Sequence, residues 1–215
     1  MRDDVAELSM PEGPVIATVD ALVEGVHFFP DDPLETVARK LVRANVSDII
    51  AKGARPLEAL LTLGWPGDRP EEDLARFAVA FGDELASWGI RLIGGDTTAS
   101  PHGLFLSLTL TGQCGPGGAI RRSGVKESDL LWVTGEIGAA CLGYRALQSG
   151  RVDDPYVASY REPQLAPLAI TGLLRDCATG SMDVSDGLLG DARMLAEASG
   201  LSVAVDLGAV PYAGI

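Results

Sequence analysis

The stretch at residues 15–28 constrains the fold most, because it joins a strand pattern to polar side chains. Residues 15–20 predict a strand, on which successive side chains point to opposite faces. Thr18 and Asp20 then share one face, and the valine between them lies on the other. A glycine and the lone His27 follow in the loop. This order predicts a site for a cation and an anionic ligand at the end of the strand.

The acidic composition narrows the class of partner. The chain has 17 Lys and Arg residues against 30 Asp and Glu residues, which gives a net charge of −13. Nucleic-acid surfaces and acidic membrane surfaces are normally bound through basic patches, so we expect neither partner. An anionic substrate would need metal ions between its charges and those of the protein.

Targeting signals are not evident. Residues 1–4 are acidic and lack the apolar segment of a signal peptide. No apolar run approaches the roughly 20 residues of a membrane span. Cys114, Cys141 and Cys177 are far apart and form no C-x-x-C pair, which is typical of free thiols in a reducing cytosol. We therefore expect a cytoplasmic protein.

A first amphipathic helix is predicted after Asp31-Asp32-Pro33, with an aspartate as its cap, and it runs to about Lys52, where Gly53 can end it. Asn45 falls in the middle of its apolar stripe and Asp48 at the edge. No Lys or Arg falls within the apolar stripe close to Asp48. Asp48 is therefore either at a wet rim or bonded to a metal or a capping group.

Further elements follow in the N-terminal half. A second helix is predicted between Pro70 and Gly89. Strands are predicted at 59–63, 90–93 and 104–111. The middle strand ends in a turn, Gly94-Gly95-Asp96-Thr97-Thr98, in which the glycines would let the backbone approach a ligand closely.

The glycine-rich run at 114–118 is the strongest boundary signal, so we divide the chain into domains at 1–116 and 117–215. In the second domain, strands are predicted at 130–133 and 202–207, and helices at 139–148, 167–177 and 188–200. Residues 134–138 form a strand-to-helix turn that could hold phosphate or be a plain connection.

Two further stretches of this domain carry candidate side chains. In Met182-Asp183-Val184-Ser185-Asp186-Gly187-Leu188, Asp183 and Ser185 would share a strand face. Asp186 can cap the next helix, which explains that aspartate alone. Arg122 is the best cation for a phosphate, although a surface arginine is the commoner case.

The candidate ligands are almost all carboxylates at strand ends or on a helix face. They are Asp3, Asp4, Asp20, Asp48, Asp96, Asp183 and Asp186. Oxygen ligands favour Mg²⁺ bridging phosphates over zinc, since the histidine is isolated and the cysteines are scattered. The P-loop string and the protein-kinase strings H-R-D and D-F-G are absent.

The motifs resemble, in content and order, those of the thiamine-monophosphate kinase family, part of the aminoimidazole ribonucleotide synthetase superfamily. The strings that carry the resemblance are Thr18-Val19-Asp20-Ala21-Leu22-Val23-Glu24-Gly25-Val26-His27-Phe28, Asn45-Val46-Ser47-Asp48, Gly94-Gly95-Asp96-Thr97-Thr98, Arg122-Ser123-Gly124 and Asp183-Val184-Ser185-Asp186-Gly187-Leu188. The V-E-G-x-H-F string favours the thiamine enzyme over its relatives, which share the other strings.

The resemblance implies an α/β (α+β) fold of two domains, in which the N-terminal sheets of two subunits close a barrel in a homodimer. It implies direct, in-line transfer of the ATP γ-phosphate to thiamine monophosphate, giving thiamine diphosphate, with several Mg²⁺ ions. The positions that match metal ligands are Asp4, Thr18, Val19, Asp20, Asp48, Asp96, Asp183 and Asp186. Those that match ATP contacts are Gly95, Asp96, Arg122 and Ser185, and His27 matches a substrate contact.

Departures from the family pattern keep other readings open. Arg2 replaces a glycine, a preceding helical segment is absent, and Val19 replaces a hydroxyl residue, which leaves a backbone contact to metal. The family string S-G-G-E-D-Y-E-L does not occur before Ile215, so the chain looks truncated and its C-terminal domain incomplete. The alternatives are another ATP-using enzyme of the superfamily, an inactive Mg-nucleotide-binding fragment and a plain acidic scaffold.

Overall fold

The structure, a computed structural model, describes residues 5–214. Its elements, in chain order, are β1 (Val15–Val23), α1 (Leu34–Ala51), β2 (Arg55–Pro66), α2 (Glu71–Ser87), β3 (Arg91–Ser100), β4 (Phe105–Gln113), α3 (Ala139–Gln148), α4 (Val157–Arg161), α5 (Ile170–Cys177), α6 (Leu188–Glu197) and a 3-10 turn at Leu207–Ala209. This mixture of strands and helices confirms the predicted α/β class. No helix within the described range is both long and apolar enough to cross a membrane.

The strands form one mixed sheet with the order β1-β4-β2-β3. β4 is antiparallel to both of its neighbours, and β2 and β3 are parallel. The parallel pair requires a crossover, and α2 provides it. β1 and β3 are therefore the edge strands, at opposite ends of the sheet.

One face of the sheet, the inner face, is covered by α1 and α2. The alternating leucines of β4 confirm the sequence prediction, since Leu106, Leu108 and Leu110 are all 0% exposed. α1 presents its apolar stripe to them, and this stripe includes the fully buried Leu41. Burial of these leucines, together with the other apolar side chains of the same core, favours folding of this region.

The opposite, outer face carries the side chains that alternate with the buried ones. Val19 pairs with Thr109 of β4, which in turn pairs with Leu60 of β2. Val19 is 61% exposed, and Phe105 farther along the same face is also exposed. Polar and apolar side chains are thus mixed on a face that is open at its β1 edge.

The predicted turn at 94–98 is wrong, because these residues continue β3 as far as Ser100. The glycine there has a packing reason. Gly95 has φ of +158°, and a Cβ at this position would lie 2.0 Å from the carbonyl oxygen of Leu61 in β2. A side chain at this position would therefore collide with the neighbouring strand.

The predicted aspartate cap of α1 is also wrong. Pro33 occupies the N-cap position, and no side chain caps the helix. The carboxylate of Asp32 accepts instead from the backbone N–H of Phe29 at 2.9 Å and pairs with Arg161 of α4 at 2.6 Å. At the other end of α1, Gly53 has a φ of +67°, which fits the predicted helix end.

The second half of the chain is built differently. The strands predicted at 130–133 and 202–207 are wrong, and Asp183 and Ser185 lie in an irregular segment rather than on a strand. Leu130 is 78% exposed and Trp132 is 84% exposed. Such apolar segments form strands only against a neighbouring strand, and none pairs with them within residues 5–214.

Charged side chains join the two halves. Arg43 of α1 pairs with Glu84 of α2 at 2.8 Å and donates to the backbone carbonyls of Glu162 and Pro163 at 3.3 Å. Arg175 of α5 donates to the carbonyl of Gly53 at 2.8 Å. These contacts fix the segment after α4 against the middle of α1, and α5 against the residue that ends α1.

Candidate functional site

The polar side chains of β1 meet the edge of α1 on the inner face of the sheet. Thr18 Oγ1 donates to Asp48 Oδ2 at 2.5 Å. The backbone N–H of Asp20 donates to Asn45 Oδ1 at 3.1 Å, while Asn45 Nδ2 donates to the carbonyl of Leu41 at 3.0 Å. The fully buried asparagine is thereby satisfied and fixes the strand against the helix. Asp48 is bonded as well as partly exposed.

A third segment joins this cluster from the second half of the chain. Ser47 Oγ, next to Asp48 on α1, donates to Asp183 Oδ2 at 3.0 Å. The contact brings together residues 136 positions apart. Ser47 was not among the predicted site residues, although its place in the N-x-S-D string was a usable signal. We call Asp20, Asp48 and Asp183, together with the Thr18 hydroxyl that donates to Asp48, the carboxylate cluster.

Burial and mutual repulsion shape the electrostatics of the carboxylate cluster. Burial raises the pKa of Asp20, and the charges of Asp48 and Asp183 raise it further. Burial also raises the pKa of Asp183, an effect that the hydrogen bond from Ser47 opposes and the charge of Asp48 reinforces. Carboxylates in such surroundings gain from a nearby cation.

The donor set suits Mg²⁺ that is shared with phosphates. Among residues 5–214, no three Asp, Glu, His or Cys side chains converge closely enough to form a metal cage by themselves. Mg²⁺ usually binds through one or two carboxylates, keeps several waters and shares its remaining positions with substrate phosphates. The half-buried, oxygen-only carboxylate cluster fits that mode of binding and not a closed zinc site.

Asp191, which the sequence analysis did not single out, shapes the loop that follows Asp183. Its side chain is 1% exposed, and Oδ2 accepts from the backbone N–H groups of Ser185, Asp186 and Gly187 at 3.1, 3.2 and 3.1 Å. Asp191 Oδ1 has no hydrogen-bond partner among the described residues. The predicted capping role of Asp186 is therefore wrong, since α6 has no side-chain cap and Asp186 is exposed.

His27 lies in the loop after β1, with an exposed side chain. Its Nδ1 accepts from the backbone N–H of Val23 at 3.0 Å. Its carbonyl accepts from Lys40 Nζ at 2.8 Å and from the Tyr160 hydroxyl at 3.2 Å. Burial lowers the pKa of Lys40 to about 8, against the opposing charge of Asp32. The backbone of the loop is held while its imidazole faces outward.

The other predicted residues that the structure describes have no recorded contact with the carboxylate cluster. Asp96 and Gly95 lie on the far edge strand, and Asp96 pairs with Thr62 on the outer face of the sheet. Val19 also faces outward, so only its backbone adjoins the site. Arg122, Ser185 and Asp186 are exposed. Asp4, together with Asp3, lies outside the described residues.

The comparisons with known proteins agree with this architecture. The profile described as AIR synthase related protein, N-terminal domain, matches residues 2–114. A thiamine-monophosphate kinase of Caulobacter vibrioides is 40% identical over 215 residues, which cover 98% of this chain and 60% of that protein. The chain thus spans less than two thirds of the length of that relative.

Solved structures show the same likeness. The crystal structure of thiamine-monophosphate kinase from Stenotrophomonas maltophilia superposes with a TM-score of 0.88 at 32% identity, covering 97% of this chain and 69% of that one. The structure described as AaThiL complexed with AMPPCP and TMP has a TM-score of 0.81 at 30% identity, covering 86% of this chain and 60% of that one.

The sheet, the carboxylate cluster and the matching profile define an AIR synthase related protein. Within that class, the chain belongs to the thiamine-monophosphate kinase family.

Proposed function

We propose that the protein phosphorylates thiamine monophosphate to thiamine diphosphate with Mg-ATP. The observation that carries the proposal is the convergence of Thr18, Asp48 and Asp183 from three separate segments in a member of this family. A similar protein has been solved with AMPPCP and TMP, an ATP analogue and the expected acceptor. The acidic site suits this pair of anions only with a cation between them.

The roles of individual residues follow the family pattern. Mg²⁺ would be held by Asp20, Asp48 and Asp183, with Asp4, Thr18, the backbone of Val19, Asp96 and Asp186 as further ligands. ATP would contact Gly95, Asp96, Arg122 and Ser185, and His27 would contact thiamine monophosphate. The exposed imidazole of His27 and the firmly held backbone of its loop support the last assignment.

The proposed chemistry is one in-line displacement. A phosphate oxygen of thiamine monophosphate forms a bond to the γ-phosphorus as the bond from that phosphorus to the β,γ-bridging oxygen breaks, and ADP leaves with the electron pair. The nucleophile is already ionised near neutral pH, so no residue is assigned as a general base. When bound, Mg²⁺ neutralises charge on the phosphates.

We also propose a homodimer in the cytoplasm, with the outer faces of two sheets closing a barrel. The exposed apolar side chains of Val19 and Phe105 on that face support the proposal. Gly95 and Asp96 lie across the sheet from the carboxylate cluster, so their assigned roles depend on an arrangement beyond the single chain. The division into domains at residues 116 and 117 stays a prediction.

The test is formation of thiamine diphosphate by the purified protein with Mg-ATP and thiamine monophosphate, read by chromatography. Free thiamine and an acceptor-free reaction serve as controls. Product that requires both the monophosphate and Mg²⁺, and that is lost in Asp48→Asn, is expected. ADP release with a different acceptor would favour another enzyme of the superfamily, and nucleotide binding without turnover would favour the inactive fragment.

A further inference from the structure

Lys52 connects the segments that carry the candidate site residues. It follows α1, one helical turn after Asp48. Its carbonyl accepts from the backbone N–H of Ile120 at 3.1 Å, and its Nζ donates to the carbonyl of Ser181 at 2.6 Å. Ser181 in turn donates its N–H to the carbonyl of Arg121 at 3.0 Å. These bonds hold together the stretches that lead to Arg122 and Asp183.

The ammonium group of Lys52 is influenced by charges of both signs. Burial lowers the pKa of Lys52, Arg122 lowers it further, and the charges of Asp183 and Asp48 oppose both effects. Two cations close together repel each other, and an anion between them relieves that repulsion. An anion bound between the side chains of Lys52 and Arg122 would therefore be favoured.

Within residues 5–214, the Lys52 ammonium donates to one acceptor, the carbonyl of Ser181. A lysine ammonium has three N–H donors, and one of them is used by the Ser181 carbonyl. A half-buried ammonium with donors to spare is costly unless a ligand or water accepts from them. An apolar side chain of similar length would pack at this helix end without that cost.

We propose that Lys52 is a phosphate-binding residue of the nucleotide site, which acts together with Arg122 on the phosphate chain of ATP. This inference rests on the proposed function and assigns a role to a residue outside the motif strings. The carboxylate cluster would take the cation of Mg-ATP, and the pair formed by Lys52 and Arg122 would take its anion.

The experiment measures binding of Mg-AMPPCP by titration calorimetry at low and moderate salt. The variants are Lys52→Met, which removes charge and donors, Lys52→Gln, which keeps a donor for Ser181, and Lys52→Arg, which keeps the charge. Lys126→Met is the matched control, because it removes the same charge from an exposed position. Thermal melting checks that each variant is folded.

We expect Lys52→Met and Lys52→Gln to weaken binding about 10-fold or more, with a shallower salt dependence, because a charge-assisted hydrogen bond is lost. Lys52→Arg should retain most of the affinity, and Lys126→Met should stay within about twofold of wild type.

Two results would overturn the assignment while leaving the proposed function intact. In one, both neutral Lys52 variants bind as tightly as Lys126→Met. In the other, Lys52→Gln binds normally while Lys52→Met does not, which would reduce the role of Lys52 to its bond with Ser181. Wild-type protein that binds no Mg-AMPPCP would overturn the proposed function together with this inference.

Discussion

Similar apolar patterns occur in two regions, the sheet with its two covering helices and the segment from residue 115 to 214. The first region buries these side chains and the second leaves them exposed. The leucines of β4 are fully buried beneath α1, whereas Leu130 and Trp132 are almost fully exposed. An apolar strand pattern does not form a strand by itself. It does so when neighbouring strands pair with it and another layer buries its apolar face. The carboxylate cluster lies where these two regions meet.

The largest expected effect tests the burial difference directly. Leu108→Ala should lower the free energy of unfolding by about 2–5 kcal/mol, because it leaves a cavity beneath α1. The matched change Leu130→Ala should cost less than about 0.5 kcal/mol. Urea denaturation of both variants makes the comparison. Equal losses would show that residues near 130 are as well packed as β4.

A smaller loss of stability is expected from changing Asp191, a buried polar residue of the second region. Asp191→Ala should cost about 1–3 kcal/mol, since three backbone N–H groups lose their acceptor. Hydrogen exchange should show faster exchange at residues 185–187, with Asp191→Asn intermediate because it keeps one acceptor oxygen. Unchanged exchange in Asp191→Ala would mean that the loop is held by other contacts.

Lys40 provides a test of the contact between the two regions. Lys40 is in α1, and its ammonium lies 3.7 Å from the ring centroid of Tyr160 in α4. Its pKa is lowered to about 8 from 10.5, so the unfolded chain binds more protons between those values. The free energy of unfolding of wild type relative to Lys40→Met should therefore rise as pH increases through 8.

Between pH 7 and 9 that gain should be on the order of 1 kcal/mol. The charge of Asp32 opposes the lowering of the Lys40 pKa. The other neighbouring groups are Arg161 and Tyr160, and burial is the main cause that raises the pKa of Tyr160 to about 12. Denaturation at the two pH values measures the gain. If the difference in unfolding free energy between wild type and Lys40→Met did not change with pH, the Lys40 ammonium would be solvated in the folded protein.

The smallest effect concerns an exposed ion pair of the second region. Arg193 and Glu197 lie 3.5 Å apart on α6, and both are mostly exposed. Arg193→Ala should change the free energy of unfolding by less than about 0.5 kcal/mol. A clearly larger loss in urea denaturation would indicate that this surface of α6 is packed against something in solution.

Local patterns predicted the layer of strands and helices well, because burial reinforces them there. The β4 alternation and the central position of Asn45 on α1 both follow from periodicity alone. The extent of β3 did not, because Gly95 reflects the close approach of β2, a contact between strands that a turn-like string does not reveal.

The candidate site was only partly predictable for a related reason. Thr18, Asp48 and Asp183 were identified from their strings, yet their mutual bonds depend on tertiary contact. Asp191 and Lys52 were missed because an aspartate and a lysine at helix ends resemble ordinary surface charges. The burial of Asp191 and the contact of Lys52 with Ser181 are visible only in the folded structure.

The bond between Ser47 and Asp183 also has a consequence for the order of events on the ribosome. At about 5–20 residues per second, the 136 positions between them take roughly 7–27 s to synthesise. Throughout that interval the nascent chain carries Thr18, Asp20 and Asp48 without the segment that completes their cluster. A ligand that requires Asp183 can therefore stabilise the chain only late in translation, after the sheet has had time to form by itself.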